Sequence, residues 1–269
     1  MKRAALTDAA AGNGGATGTQ TITRTLAVLD LLRDSRHDLG ISDIAQRLSL
    51  SGSTVHRIVR ALVESNYLAQ NHETERYYLG RAAVLLGQAA NDRLGLQRAQ
   101  VVLDRLRDET GESVNLGARD RDDMVILIRA ESPHPLRFSQ EPGSRLPVYA
   151  TSMGKAWLSH CEVTIEEGVD SIETLLRPLT SKTISSKADL LHDLRKIRKR
   201  GYSIDDEEAV PGVRCIAAPV LSLEGSLLAA VAIQSPAVRM PRKRLATLAP
   251  IIRAAAEEVS QLLPVTQRL

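Results

Sequence analysis

The stretch Ile41-Ser-Asp-Ile-Ala-Gln-Arg-Leu-Ser-Leu-Ser-Gly-Ser-Thr-Val-His-Arg-Ile-Val-Arg-Ala-Leu62 predicts two short helices joined by a tight turn. Apolar residues fall at Ile41, Ile44, Ala45 and Leu48, and again at Val55, Ile58, Val59 and Leu62. That is the i, i+3, i+4, i+7 stripe of a helix with one buried face, written twice. Ser51, Gly52, Ser53 and Thr54 supply the turn and a hydroxyl to cap the second helix. The second helix turns Ser53, Thr54, His56, Arg57 and Arg60 outward, and no acid occurs from Ile44 through Val63. A helix that enters the major groove needs hydroxyls and guanidinium groups on that face and no carboxylate against phosphate. The pattern predicts a helix-turn-helix with a DNA-reading second helix. Its candidate contacts are Ser51, Ser53, Thr54, His56, Arg57 and Arg60.

Working outward, Leu26 to Leu32 reads as a first helix, capped near Thr21 or Thr23. Residues 1–20 are rich in Ala, Gly and Thr without periodicity, and are expected to be a disordered tail. Beyond the helix-turn-helix, Tyr67-Leu-Ala-Gln70 and Arg76-Tyr-Tyr-Leu79 flank a polar tip, the pattern of a two-stranded hairpin. Three helices and a hairpin make a winged helix-turn-helix over residues 21–80, with His72 and Arg76 of the wing as further candidate DNA contacts. Residues 81–95 read as a linker helix whose Leu85, Leu86 and Ala89 have no partner within the preceding domain, and so as a dimer surface.

From residue 96 the texture changes. A helix through Leu106 stops at Gly111, and strands follow at Ser113–Gly117, Met124–Ile128 and Arg145–Ala150. Thr151 and Ser152 can cap a helix through Ser159, and Asp189 to Arg200 is amphipathic and ended by Gly201. Strands at Tyr202–Ile204, Arg214–Val220 and Leu227–Ile233 lead to a closing helix from Pro241 to Leu263. The chain is therefore expected to be α+β: a winged helix-turn-helix, a linker helix, and an antiparallel sheet domain over residues 96–269 with flanking helices.

Bulk properties narrow the function class. The 269 residues are 43% hydrophobic and 25% charged, ordinary for a globular protein of two domains. A net charge of +3 leans towards polyanion binding. Aromatic residues make up only 3%, too few for a protein that stacks single-stranded bases. Cys161 and Cys215 are far apart and match no metal spacing, so neither metal nor cofactor is expected, and a reducing cytoplasm fits. No apolar run reaches the ~18 residues of a membrane span.

Four motifs in order carry a resemblance to a known family: Ser53-Thr-Val-His-Arg-Ile58; Tyr77-Tyr-Leu-Gly80; Leu146-Pro-Val-Tyr-Ala-Thr-Ser-Met-Gly-Lys-Ala156; and Gly201-Tyr-Ser-Ile-Asp-Asp-Glu-Glu208 followed by Gly212-Val-Arg-Cys-Ile-Ala-Ala-Pro-Val220. Over residues ~21–263 the chain resembles the IclR family of bacterial transcriptional regulators. The resemblance implies a GAF-like C-terminal effector domain, assembly as dimers or dimers of dimers, double-stranded operator DNA as partner, and a small acid from a catabolic pathway as effector. The positions matching that family's effector pocket are Phe138, Leu146, Ser152, Met153, Asp205, Cys215, Ala232 and Gln234. The last two stand where some relatives carry small hydroxyl residues, and an amide at Gln234 changes both shape and hydrogen bonding.

The residues themselves support part of this. A helix N-terminus at Thr151 and Ser152 offers free N–H groups and partial positive charge to a carboxylate. Phe138, Leu146 and Met153 give an apolar wall that favours an aromatic acid, such as a hydroxybenzoate. Asp205 would repel a carboxylate and is expected to accept from a hydroxyl or orient a donor. Lys155, one turn into the helix, is expected at the surface and is left out of the anion site. The alternatives are an enzyme built on residues 111–263, or a sensor that no longer binds DNA. Against the first, the chain has no GxSxG, HExxH, P-loop or dinucleotide fingerprint; against the second stands the intact Arg57 and Arg60 face. The chain thus reads as a ligand-responsive repressor of a catabolic operon.

Overall fold

The computed structural model describes residues 16–161, 163–173 and 175–264. The chain divides into two compact units, residues 1–89 and 90–269.

The first unit opens with α1 (Ala16–Arg33). This helix begins ahead of the residue-21 boundary, so Ala16 to Gln20 are helical and not part of a structureless tail; residues 1–15 of that tail lie outside the described residues. Nor do Thr21 and Thr23 cap it. Both lie inside the helix, where Thr23 Oγ1 donates back to the Thr19 carbonyl and Thr25 Oγ1 to that of Thr21, the bond that makes a hydroxyl tolerable in a helix interior. Next come α2 (Ile41–Leu48), α3 (Gly52–Glu64), and the wing strands β1 (Leu68–Gln70) and β2 (Tyr77–Leu79). Ser49 in the left-handed region ends α2, and Ser51 caps α3. The predicted stripe is the core. Ile44, Val55, Ile58, Val59 and Leu62 are buried with Val28, Leu32, Leu39 and Leu68. Leu39 exchanges two backbone hydrogen bonds with Tyr77, which fastens the wing to the helical core. Helix α4 (Arg81–Arg93) follows, with no buried residue.

The second unit is α5 (Leu96–Thr110), β3 (Ser113–Asp120), β4 (Asp123–Ala130), β5 (Arg145–Pro147), α6 (Ser152–Ser159), α7 (Ile165–Asp170), α8 (Lys187–Arg200), β6 (Ser203–Asp206), β7 (Val213–Leu221), β8 (Leu227–Pro236) and α9 (Arg242–Leu262). Its six strands form one antiparallel sheet in the order β5-β4-β3-β8-β7-β6. Alternation divides the sheet into two faces. Val114, Leu116, Ile216, Ala218, Val231 and Ile233 pack under α5 and α9. Ala217, Ala230 and Ala232 pack with α6 and α8 on the other face. The small side chains on that second face let α6 come close to the sheet.

Close approach also explains Gly154. A Cβ there would fall 1.9 Å from the Val148 carbonyl oxygen. Gly154→Ala should therefore destabilise the second unit by about 1–3 kcal/mol or more. Urea unfolding with an unchanged midpoint would contradict this account of the α6 seat.

Candidate functional sites

In the first unit, Ser51 Oγ accepts from Thr54 N at 3.3 Å and lies 3.2 Å from Ser53 Oγ and 2.9 Å from Thr54 Oγ1. Ser53, His56, Arg57 and Arg60 are exposed on α3, and Thr54 is half-buried. Arg60 Nε donates to Glu64 Oε1 at 3.0 Å. That pair is solvated and worth only about 0.3–0.5 kcal/mol, so a phosphate or base edge can replace it at little cost. Arg57 has no acidic partner among the described residues. His72 is exposed in the wing. Arg76, the other wing residue expected to contact DNA, is paired within the unit. Its Nη1 donates to Asp43 Oδ2 and to the Asp38 carbonyl, each at 2.9 Å. It is a strut from the wing to α2, and it neutralises Asp43, the acid that borders the acid-free stretch on its N-terminal side. No local spacing signals this pair, because its members lie 33 residues apart.

In the second unit a polar row crosses the sheet on the α6 face. Register places Asp205 opposite Cys215, Cys215 opposite Gln234, and Gln234 opposite Ser113. One step along, Ser203, Ala217, Ala232 and Asn115 form a parallel row. All eight are buried. The N-terminus of α6 sits over them. Ser203 Oγ donates to the Ser152 carbonyl at 2.6 Å, and a Cβ on Gly117 would lie 3.4 Å from Met153 Sδ. Thr151 caps the helix by accepting from Gly154 N at 3.1 Å. At the β3 end, Ser113 Oγ donates to the Phe138 carbonyl at 3.2 Å and Asn115 Nδ2 to Gln140 Oε1 at 3.4 Å. Six of the eight predicted positions thus meet the row or α6 directly, and Phe138 joins through its backbone. Leu146 does not join it. It pairs with Met124 on edge strand β5, with β4, β3 and β8 between it and β7.

Lys155 is 1% exposed and not at the surface. Its Nζ donates to Glu208 Oε1 at 2.6 Å and to Asp193 Oδ2 at 3.0 Å. An ammonium this deep is stable only when paired. Burial pushes the Glu208 carboxyl up, against the pull of Lys155. Burial also pushes Asp205 up to about 7, opposed first by the Glu208 N–H that bonds its Oδ1 at 2.6 Å. A carboxyl poised there exists partly as the neutral acid, which donates a hydrogen bond and does not repel an anion. The expected repulsion is thereby relieved. Burial, then the neighbouring Asp205, pushes the Cys215 thiol well up, with the Ser152 hydroxyl acting the other way; it is a packing group with no thiolate character. Ser113, Asn115, Ser203, Lys155 and Glu208 escaped the sequence reading. A signal for two of them was present: Ser113 and Asn115 are polar at i and i+2 of a strand whose Val114 and Leu116 are buried, so one face of a core strand is polar.

The comparisons with known proteins agree with this architecture. Residues 21–72 match the model of the IclR helix-turn-helix domain, and residues 89–261 that of the bacterial transcriptional regulator IclR C-terminal domain. The chain is 36% identical over 244 residues to the HTH-type transcriptional regulator BhcR of Paracoccus denitrificans, covering 90% of this chain and 87% of that one. It is 31% identical over 246 residues to the transcriptional repressor IclR of Escherichia coli, covering 90% and 89%. The crystal structure of the Thermotoga maritima IclR superposes with a TM-score of 0.70 at 25% identity, over 90% of this chain and 98% of that one. Fold and relatives define a DNA-binding transcriptional regulator with an effector-binding C-terminal domain. The chain belongs to the IclR family. Its relatives in these comparisons are regulators and not enzymes. Among the described residues no helix is long and apolar enough to cross a membrane.

Asp205 gives the second unit a specific pH response. The folded chain holds its proton up to about 7 and the unfolded chain only to about 3.8. Folding therefore takes up a proton in that window, and Asp205 erodes stability as pH rises through it. Asp205→Asn keeps an acceptor oxygen for the Glu208 N–H and removes the titration. Its melting midpoint should gain on wild type between roughly pH 4 and pH 7 and hold that gain above. Parallel pH profiles for the two proteins would contradict the assignment.

Proposed function

We propose that this chain is a repressor that reads operator DNA through α3 and releases it on binding a small carboxylic acid in its second unit. The observation that carries the reading is the exposed α3 face, free of acids from its start through Val63, in one unit, together with a buried polar row under a helix N-terminus in the other. The name of the Escherichia coli relative, a repressor, supports the sign of regulation. Ser53, Thr54, His56, Arg57 and Arg60 contact the major groove. Ser51 sets the start of the helix, Arg76 holds the wing, and His72 meets the backbone beside it.

Two copies bind together. One winged helix buries too little surface to find an operator among genomic competitors, and a two-fold pair solves this. Helix α4 supplies the surface: Val84, Leu85 and Leu86 are 58–63% exposed. The acid's carboxylate lies at the α6 N-terminus by Ser152 and Met153. Asp205, Cys215 and Gln234 line the rest of the site, and Ala232 leaves room between them. The body of the effector is aromatic or short-chain, resting on Met153 and Phe138.

Arg57→Ala should weaken operator binding by about 1–3 kcal/mol and relax specificity at one position if it reads guanine. Arg60→Ala, if its contact is a phosphate, should weaken all sequences alike and lower the salt slope by about one. Gel shifts measure both, and mass photometry should count two or more chains per operator. Wild-type affinity in both variants, or one chain per operator, would sink the DNA reading. For the effector, Ser152→Ala should lower acid affinity several-fold in calorimetry across aromatic and aliphatic acids. An acid that dissociates the operator complex but binds Ser152→Ala and Asp205→Asn as tightly as wild type would place the site elsewhere.

A further inference from the structure

Two buried side-chain atoms on the α6 face of the sheet have no hydrogen-bond partner among the described residues: Asn115 Oδ1, an acceptor, and Gln234 Nε2, a donor. Asn115 is 0% exposed and Gln234 is 4% exposed. The Asn115 amide is oriented from its other end, where Nδ2 donates to Gln140 Oε1. Gln234 stands opposite Ser113, and Asn115 stands opposite Ala232. The two amides are therefore diagonal neighbours on adjacent strands, a spacing that long side chains bridge. Gln234 is flanked on its own row by Ser113 and Cys215, and Asn115 on the next row by Ala232 and then Ala217, whose methyl groups leave space beside the two amides.

An unpaired donor and an unpaired acceptor in one buried place are each costly to the fold. One ligand atom can satisfy both only if it accepts and donates at once. A hydroxyl does this. A keto oxygen accepts from Gln234 Nε2 but leaves Asn115 Oδ1 unpaired, and so does a second carboxylate oxygen. A site built to bond a hydroxyl rejects the analogue that lacks it more strongly than an apolar pocket could, because its own polar group is left stranded.

We propose that Asn115 and Gln234 form a hydroxyl-selecting subsite, so that the effector is a hydroxy acid and not the corresponding keto acid. The proposal rests on the assignment of the carboxylate to the Ser152 end of the same site. Asn115 is the specificity residue here. Gln234 can serve either class of ligand, whereas Asn115 Oδ1 is satisfied only by a donor.

The test is calorimetry on the full-length protein with matched pairs: lactate against pyruvate, and mandelate against phenylglyoxylate. In wild type the hydroxy member should bind about tenfold tighter or more. Asn115→Leu should bring each pair within about twofold, and Gln234→Leu should weaken both members. Melting curves report whether each variant folds. The wild-type ratio needs no variant, so a folding failure does not remove the test. A ratio near one, or a keto acid that binds tighter, overturns the subsite. So does a tenfold preference that persists in folded Asn115→Leu. If Ser152→Ala weakens binding while the wild-type ratio is one, the subsite falls and the carboxylate assignment stands. If none of the four acids binds, both fall.

Discussion

The second unit depends on one buried charge. Lys155 leaves water almost completely and is held by Glu208 and Asp193. Its ammonium is tolerable only while both carboxylates stay in place. Three pieces of chain are thereby tied at one point: α6 through Lys155, α8 through Asp193, and the turn after β6 through Glu208. Glu208 N in turn donates to Asp205 Oδ1, so the same knot positions the carboxyl at the end of the polar row. The start of α6 is fixed separately, by Ser203 on the Ser152 carbonyl and by the closeness of Gly154 to Val148. The helix N-terminus over the row is held at both ends by contacts that have little slack.

A second charged knot secures the other face. Glu112 is wholly buried at the start of β3, with Arg239 and Arg244 on its two oxygens at 2.7–2.9 Å. Burial would raise its carboxyl, but hydrogen bonds from Arg239, Ser235 and Arg244 hold it below the usual range. Arg244 starts α9, and Arg239 belongs to the turn that follows β8. The knot joins the first strand of the sheet to its last connection. With Leu103, Val114, Ile233 and Ile252 packed beside it, this face is a conventional apolar core. The α6 face is mixed: an apolar cluster that includes Met124, Ile126, Leu158, Leu190 and Leu194 stands beside a polar, alanine-lined row that contains unpaired atoms.

Periodicity exposed what depends on one surface being wet and another dry. The stripe from Ile44 to Leu62, the strands of the sheet and the caps at Ser51, Thr151 and Gly201 were all legible, because each follows from a few neighbouring residues. The start of α1 was not. Thr and Gly are poor helix formers, and the pattern over Ala16–Gln20 carries no apolar stripe to outweigh them. Lys155 was misread because a lysine is almost never buried alone, and the partners that make its burial tolerable lie 38 and 53 residues away. The Arg76–Asp43 pair was not legible for the same reason, since its members are distant in sequence. Leu146 matched by position in a motif, but the strand that carries it pairs at the opposite edge of the sheet. Family motifs located the site, whereas long-range pairing decided which of their residues belong together.

Strand β8 has a consequence for how such a protein can change. Its odd positions, Val231 and Ile233, belong to the apolar core under α9, while Ala232 and Gln234 point to the polar row. One strand carries both, but no side chain serves both. A replacement at 234 alters the chemistry that faces a ligand and leaves the apolar core under α9 untouched, whereas one at 232 must also stay small enough for α6 to keep its seat on the sheet. The two faces can therefore drift independently. A lineage built on this sheet can acquire a new chemical signal by single substitutions, with the stability of the domain conserved by residues one step away.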